Sequence, residues 1–337
     1  MKFSVIGAGA WGTTLANILA ENGNKVILWA REPEIEQSVN NHHRNCIFLR
    51  EKVLHSDLFA TTSIKDAVNS SEILVFAVPS AHLRNVATDC LKHVNSSLKG
   101  VMNAAKGLEP VSGKRLSEIL CEIMNVRESS SEDRIAVLSG PNLAPEIASE
   151  KIASTVIASP CSDLSRILQE SFSSPRFRVY RHSDRTGVEL GGTLKNVFAI
   201  GAGILEGLEL GDNARAAYLT RSLHEMTRLG VCLGGKNTTF YGLSGLGDLM
   251  ATAMSPISRN HRIGRAIAEG RLSQFQSDFA LQAVEGVETA RMALEWGKKL
   301  TIQLPITEEI CRVLFENKPP VEAARDLMTR SLKDEGE

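Results

Sequence analysis

The chain has 337 residues, with 38 Lys+Arg against 39 Asp+Glu, and is long enough for two cores because single domains usually stop growing at roughly 250 residues. A charge balance near zero excludes an overall field that draws the molecule to nucleic acid or an anionic membrane, so any anion binding is local. Six cysteines, Cys46, Cys90, Cys121, Cys161, Cys232 and Cys311, form no C-x-x-C pair and no Cys/His set with zinc spacing, which excludes a compact zinc module and reads as buried thiols of a reducing compartment.

Met1-Lys2-Phe3-Ser4-Val5-Ile6 runs straight into a strand-like segment, with no charged leader or cleavage site, so the cytoplasm is the expected compartment. Short β-branched runs then alternate with helical spacing: Phe3–Ile6, Val26–Trp29, Ile73–Val78, Val101–Ala104, Ile135–Leu138, Thr155–Ala158 and Phe177–Tyr180. This alternation predicts a parallel sheet with helices on both faces. Ser129-Ser130-Ser131-Glu132-Asp133 is the one low-complexity stretch and reads as a polar loop. From about Arg185 the pattern turns helical, over Thr186–Leu205, Ala214–Leu229 and Gly286–Lys298. An α/β unit over residues 1–185 followed by an all-α unit over 186–332 is the expected organisation. The apolar run Val197–Leu205 is far below the roughly 20 residues that a membrane span requires.

Gly7-Ala8-Gly9-Ala10-Trp11-Gly12 follows the first strand and opens the helical run Thr13–Ala20. In that context each glycine has a distinct physical task. Gly7 permits the tight turn, Gly9 lets the backbone approach a pyrophosphate, and Gly12 permits close packing of helix on strand. The helix N-terminus adds unpaired N–H groups aimed at the anion. A Rossmann-type dinucleotide site is the prediction; a glycine-rich turn without a ligand is the weaker alternative.

About 20 residues beyond this motif, such sites carry the group that reads the adenosine ribose; here the sequence is Trp29-Ala30-Arg31-Glu32. Arg31 suits a 2′-phosphate or stacking on adenine. Glu32 accepts a ribose hydroxyl only if the backbone turns it inward. The cofactor is therefore NAD or NADP, with NADP slightly favoured, and a merely solvated strand end competes with both roles. His42, His43 and Cys46 share one stretch but lack the further ligands that zinc needs, so a surface loop and no metal is the expectation.

Between Gly187 and Leu205 the only charged residues are Glu189 and Lys195. An ammonium buried there needs an anionic partner, and its lowered pKa suits proton transfer to a ketone oxygen. A lysine snorkelling from a helix end is the alternative; Gly191-Gly192 just before it favours close ligand approach.

The joint presence and order of Gly7-Ala8-Gly9-Ala10-Trp11-Gly12-Thr13, Ala105-Lys106-Gly107-Leu108-Glu109, Ser139-Gly140-Pro141, Gly191-Gly192-Thr193-Leu194-Lys195-Asn196, Gly245-Leu246-Gly247-Asp248-Leu249, Ser258-Arg259-Asn260 and Val284-Glu285-Gly286 closely resembles the bacterial NAD(P)-dependent glycerol-3-phosphate dehydrogenases, over essentially the whole chain. The resemblance implies reversible reduction of dihydroxyacetone phosphate to sn-glycerol 3-phosphate for phospholipid synthesis. It implies that Lys195 is the catalytic proton donor and acceptor, that Lys106 stands by both substrate and cofactor, and that Asp248 neighbours the lysine and a substrate hydroxyl. It further implies that Ser258, Arg259 and Asn260 hold the substrate phosphate, with Arg259 also reaching the cofactor. Ala10, Trp11, Arg31, Ala144, Ala283 and Glu285 are implied to lie by the cofactor, and Gly140 and Asn142 by the substrate.

The residues themselves say less. Lys106 follows a strand-like run, where parallel sheets place ligand-binding loops. Asp248 also suits the cap of a helix beginning at Leu249. Ser258-Arg259-Asn260 precedes a basic helical run, where N–H groups and a guanidinium converge on a phosphate unless Arg259 is simply solvated. Asn142 departs from the family, which usually carries Ser or Thr there, and Pro145 stands where Lys is common. The expected partners are the small phosphorylated substrate and a second copy of the chain, with no nucleic acid. A 3-hydroxyacid or 6-phosphogluconate-type dehydrogenase is the alternative enzyme, and a redox-sensing regulator that needs neither Lys195 nor Asp248 is the alternative outside enzymes.

Overall fold

The computed structural model describes residues 1–130, 133–271, 284–332 and 334–335. Its first part runs β1 (Lys2–Ile6), α1 (Ala10–Glu21), β2 (Lys25–Trp29), α2 (Pro33–His42), β3 (Phe59–Thr61), α3 (Ile64–Val68), β4 (Ile73–Phe76), α4 (Leu83–Leu91), β5 (Gly100–Asn103), α5 (Leu116–Met124), β6 (Ile135–Ser139), α6 (Ala144–Ala148), β7 (Ala153–Ala158), α7 (Ser162–Phe172) and β8 (Phe177–His182). The strands form one sheet in the order β3-β2-β1-β4-β5-β6-β7-β8. Side chains of a strand alternate between faces. Phe3, Val5, Ile73, Val75 and Met102 accordingly join one core, while Ile6, Leu74, Phe76, Val101 and Ile135 join the core on the opposite face. Burial on both faces is why these strands read as continuous apolar runs.

Two features differ from the sequence reading. β3 is only three residues long, with Phe59 exposed, so it offers no alternation to detect. β7 runs antiparallel to β6, with Ser139 opposite Val156, while β8 is parallel to β7; hydrophobic period marks a strand but not its direction.

The rest of the described chain is helical: α8 (Arg185–Gly207), α9 (Gly211–Cys232), α10 (Asn237–Phe240), a π turn at Leu243–Gly247, α11 (Asp248–Ala253), α12 (Arg259–Ala268), α13 (Glu285–Leu300), α14 (Pro305–Phe315) and α15 (Pro320–Met328). Leu190, Leu194, Val197, Phe198 and Ile200 of α8 anchor this core. At 23 residues α8 is long and apolar enough to cross a membrane, which the shorter run Val197–Leu205 did not suggest, but 94% of its apolar window is buried inside the protein. It is the axis around which the other helices pack.

Polar residues fix where α8 starts. Asp184 caps it, accepting from Gly187 N at 2.8 Å, and also takes Lys236 N at 2.8 Å, at the N-cap of α10, and Thr239 Oγ1 at 2.6 Å, within α10. Arg185 is buried and donates to Asp133 Oδ1 at 2.6 Å and Glu128 Oε1 at 2.9 Å. Glu189 accepts from Ser117 N at 2.8 Å and Arg115 Nη1 at 3.3 Å. These bonds moor α8 against α5 and β6. Asp133 is thus a buried ion-pair partner and not part of a solvated loop, whereas Ser131 and Glu132 of that stretch lie outside the described residues. The cysteine reading also needs correction: Cys90, Cys121 and Cys311 are buried, but Cys46 and Cys232 are exposed and Cys161 is half-buried. His42 closes α2 and His43 is its left-handed C-cap, so only part of that stretch is loop.

Candidate active site

β1, β4 and β5 end side by side, and strand order reverses between β1 and β4, the place where open α/β sheets bind ligands. The turn after β1 fits a dinucleotide on steric grounds. Gly7 has φ +116°, and a Cβ on it would meet Ala77 O at 2.8 Å. A Cβ on Gly12 would meet Gly7 O at 1.9 Å, while one on Gly9 would have nothing within 4 Å. The turn is therefore tight at both flanks and open in the middle. Gly9 is the N-cap of α1, with no capping side chain and no acidic residue in the first turn to compete with an anion. Ala10 and Trp11 begin α1, and Trp11 Nε1 donates to Ala104 O at 3.1 Å, tying the turn to the end of β5.

Beyond β5, Lys106 is brought onto the helical half. Its Nζ donates to Gly140 O at 3.0 Å and to Asp248 Oδ2 at 2.5 Å. The other oxygen of the same carboxylate, Oδ1, lies 3.0 Å from Lys195 Nζ. Lys195 also donates to Thr252 Oγ1 at 2.5 Å, and Thr252 donates to Asp248 Oδ1 at 3.2 Å. One buried carboxylate thus holds two ammonium groups, with Lys106 the more exposed of the pair at 17% against 7% for Lys195. Burial pushes the Lys195 ammonium down to about 8, and Lys106 pushes the same way, while Asp248 pulls it up.

Lys195 lies in the middle of α8 and not at its end, so it does not snorkel. Gly191 and Gly192 do not open a path for a ligand. A Cβ on Gly191 would meet Ser244 O at 2.7 Å, and one on Gly192 would meet Ser139 Oγ at 2.1 Å, so the pair lets the π turn and the end of β6 pack on α8. Asp248 is the first residue of α11, with Gly247 as N-cap, and its side chain turns to the lysines. Thr252 was missed in the sequence, although its i,i+4 spacing from Asp248 puts both on one helix face.

Ser258 is the N-cap of α12 and accepts from His261 N at 3.3 Å. Arg259 is exposed at the first helical position, and Asn260 is buried. The Asn260 amide donates to Asn196 Oδ1 at 2.9 Å and accepts from Gly286 N at 3.1 Å, bridging α8, α12 and α13. Glu285, half-buried at the start of α13, has its carboxyl raised by burial against the pull of Arg259, Lys195 and Lys106. All three cations act on Glu285, and the two lysines also on Asp248.

Gly140, with φ +154°, supplies the carbonyl that Lys106 takes. Asn142 faces β7, accepting from Thr155 Oγ1 at 2.8 Å. Ala144 opens the short α6, and Pro145 fits its first turn, where a missing N–H costs nothing. Arg31, past β2, is 76% exposed and pairs with Glu32 at 2.8 Å, an exchangeable surface contact of about 0–1 kcal/mol. Ala283 lies outside the described residues.

The model for the N-terminus of NAD-dependent glycerol-3-phosphate dehydrogenase matches residues 2–165, and that for its C-terminus matches residues 184–325. The glycerol-3-phosphate dehydrogenase [NAD(P)+] of Geobacter sp. (strain M21) is 42% identical over 336 residues, 99% of each chain. That of Listeria monocytogenes serotype 4a (strain HCC23) is 40% identical over 341 residues, covering 100% of this chain and 98% of its own. Among solved structures, glycerol-3-phosphate dehydrogenase from Coxiella burnetii superposes with a TM-score of 0.89 at 35% identity, covering 98% of this chain and 99% of that one. With both halves matched and relatives 40–42% identical over nearly the whole chain, the chain belongs to the NAD-dependent glycerol-3-phosphate dehydrogenase family.

Proposed function

We propose that the chain catalyses the reversible reduction of dihydroxyacetone phosphate to sn-glycerol 3-phosphate with NAD(P)H, a step of glycerophospholipid synthesis. The observation that carries this reading is Lys195, buried in α8 and 3.0 Å from Asp248 Oδ1, with a pKa near enough to neutrality, at about 8, to give and take a proton under working conditions.

Gly7, Gly9, Ala10, Trp11 and Gly12 hold the dinucleotide's pyrophosphate end, and Arg31 meets the adenosine side. Ala144, Glu285 and Arg259 border the rest of the cofactor, and Ala283, outside the described residues, is assigned there by the family resemblance alone. When bound, the nicotinamide supplies or accepts the hydride at the substrate's C2. Lys195 Nζ gives its proton to the ketone oxygen in reduction and takes it back in oxidation. Asp248 keeps that ammonium charged and oriented despite its burial. Lys106, on the other oxygen of Asp248, and the backbone of the Gly140–Asn142 loop border the substrate's polar groups, with the Asn142 side chain turned to β7. Ser258, Arg259 and Asn260 take the phosphate through the first N–H groups of α12 and the guanidinium.

NAD and NADP both suit the glycine turn. Arg31 tilts the balance to NADP, because its pairing with Glu32 is weak enough to exchange for a 2′-phosphate. Residues 1–185 and 186–332 act as two units with the site at their junction. The near-neutral charge fits work on a small substrate without nucleic acid, the cytoplasm is the expected compartment, and a homodimer is the expected assembly, to be tested by light scattering.

The direct test is NADH and NADPH oxidation with dihydroxyacetone phosphate, measured side by side. Tight binding of either dinucleotide without turnover of this ketone would favour a non-catalytic sensor instead.

A further inference from the structure

Asn45 is completely buried, and its side-chain amide uses its full bonding capacity. Nδ2 donates to Ala8 O and to Thr13 Oγ1, each at 2.8 Å, while Oδ1 accepts from Phe48 N at 2.9 Å and Ile47 N at 3.2 Å. Thr13 Oγ1 in turn donates to Ala8 O at 3.3 Å. Two donors therefore converge on the carbonyl in the middle of the glycine turn.

A trans peptide points its C=O and the next residue's N–H in opposite directions. With Ala8 O drawn inward to Asn45 and Thr13, the N–H of Gly9 points away from them, and Gly9 borders open space on the turn. A flip of this peptide changes ψ of Ala8, which an alanine tolerates in either backbone basin, and φ of Gly9, which a glycine leaves almost unrestricted, so nothing local fixes its orientation. The same glycine that admits a pyrophosphate, Gly9, also makes this peptide free to flip.

We infer that Asn45 is a positioning residue for the cofactor: it clamps the Ala8–Gly9 peptide so that the Gly9 N–H is presented to the dinucleotide's pyrophosphate. The inference rests on the proposed reading of this turn as the cofactor site. Its second consequence is that the 45–48 loop is bound into the turn by the same amide, so the loop and the turn hold their shapes together.

The test is direct titration of NADH and NADPH by fluorescence with wild type, Asn45→Ala, Asn45→Asp and Thr13→Val, alongside melting curves and steady-state kinetics. Asn45→Ala should weaken both dinucleotides about tenfold or more, since the pyrophosphate is common to both and a buried carbonyl loses its strong donor. At saturating cofactor, kcat and the ketone KM should stay within about twofold. Asn45→Asp should be at least as severe, because a carboxylate cannot donate to Ala8 O. Thr13→Val should weaken binding about threefold, and should not add fully to Asn45→Ala. Unchanged dinucleotide affinity in folded Asn45→Ala, or lost kcat with unchanged affinity, overturns the inference. If Asn45→Ala does not fold, the Thr13→Val titration decides alone, and wild-type affinity there overturns it. A wild-type chain that binds neither dinucleotide would instead overturn the cofactor reading itself.

Discussion

Replacing Asp248 by Asn keeps the shape of the side chain and removes the one charge that two ammonium groups share. Lys195 loses a carboxylate oxygen at 3.0 Å and Lys106 loses one at 2.5 Å. Removing one member of a buried pair typically costs about 3–5 kcal/mol. If about 3 kcal/mol of this falls on the Lys195 ammonium, its pKa drops by about two units at 1.36 kcal/mol per unit, from about 8 toward about 6. The sign follows from the chemistry. Ketone reduction needs protonated Lys195, so it proceeds below this pKa and is lost above it; oxidation needs the neutral amine and rises through it. The alkaline limb of kcat for reduction should therefore move from near pH 8 to near pH 6, and at pH 7.5 protonation alone should lower the rate about 25-fold. Lys106 also depresses Lys195, so adding Lys106→Met to Asp248→Asn should return the limb part of the way upward. The assay is the pH dependence of kcat at saturating ketone and cofactor. An alkaline limb that stays at its wild-type position in Asp248→Asn refutes the reasoning.

Three further substitutions probe the same arrangement. Lys195→Ala should lower kcat by about 10²–10⁴ while NAD(P)H binds as before, which rapid-mixing kinetics and titration check together; near-normal turnover would end the acid/base assignment. Arg259→Ala should raise the KM for dihydroxyacetone phosphate by about 10–100-fold, the worth of a lost charge-assisted bond of about 1.5–3 kcal/mol, and an unchanged KM would remove Arg259 from the phosphate site. Gly12→Ala places a Cβ 1.9 Å from Gly7 O, so the turn must shift and both melting temperature and dinucleotide affinity should fall. Wild-type values for both in that variant would show that the packing of α1 on β1 yields easily.

What the sequence disclosed was set by range. Alternating and helical periods are local, so the sheet strands from β1 to β8 and the long helices were legible, apart from β3, too short to show a period, and the direction of β7. The Gly7–Gly12 turn was legible because strand, turn and helix are contiguous. Lys195 stood out as a lone ammonium in an apolar helix, but its partner Asp248 was named by the resemblance alone, because the two become neighbours only when α11 packs on α8. Gly191 and Gly192 show the limit of reading glycine locally. A missing side chain admits whatever lies opposite, and the sequence cannot say whether that is a ligand or, as here, Ser244 and Ser139. Asn45 carried no signal at all: it lies 32 residues from Thr13 along the chain, and an asparagine in a polar stretch looks like surface.

The proposed substrate has its carbonyl and its phosphate on adjacent carbons, so the proton donor on α8 and the anion site on α12 must keep a fixed separation. The crossing of these helices supplies that rigidity. A Cβ on Gly203 would lie 1.9 Å from His261 O, and one on Gly264 would lie 1.9 Å from Ile200 O, so the two backbones touch directly. Asn260 then locks the register by bonding Asn196, the residue after Lys195, at 2.9 Å. The cofactor turn, in contrast, belongs to the sheet, and it reaches the helical half through Trp11 to Ala104, Lys106 to Asp248 and Gly107 N to Thr193 Oγ1 at 3.3 Å. Those links are side-chain bonds, which can lengthen and re-form. The separation of Lys195 from the proposed phosphate site is thus held by backbone contact, whereas the links from the glycine turn run through polar side chains, and Asp248, which grips a lysine from each half, is where the two meet.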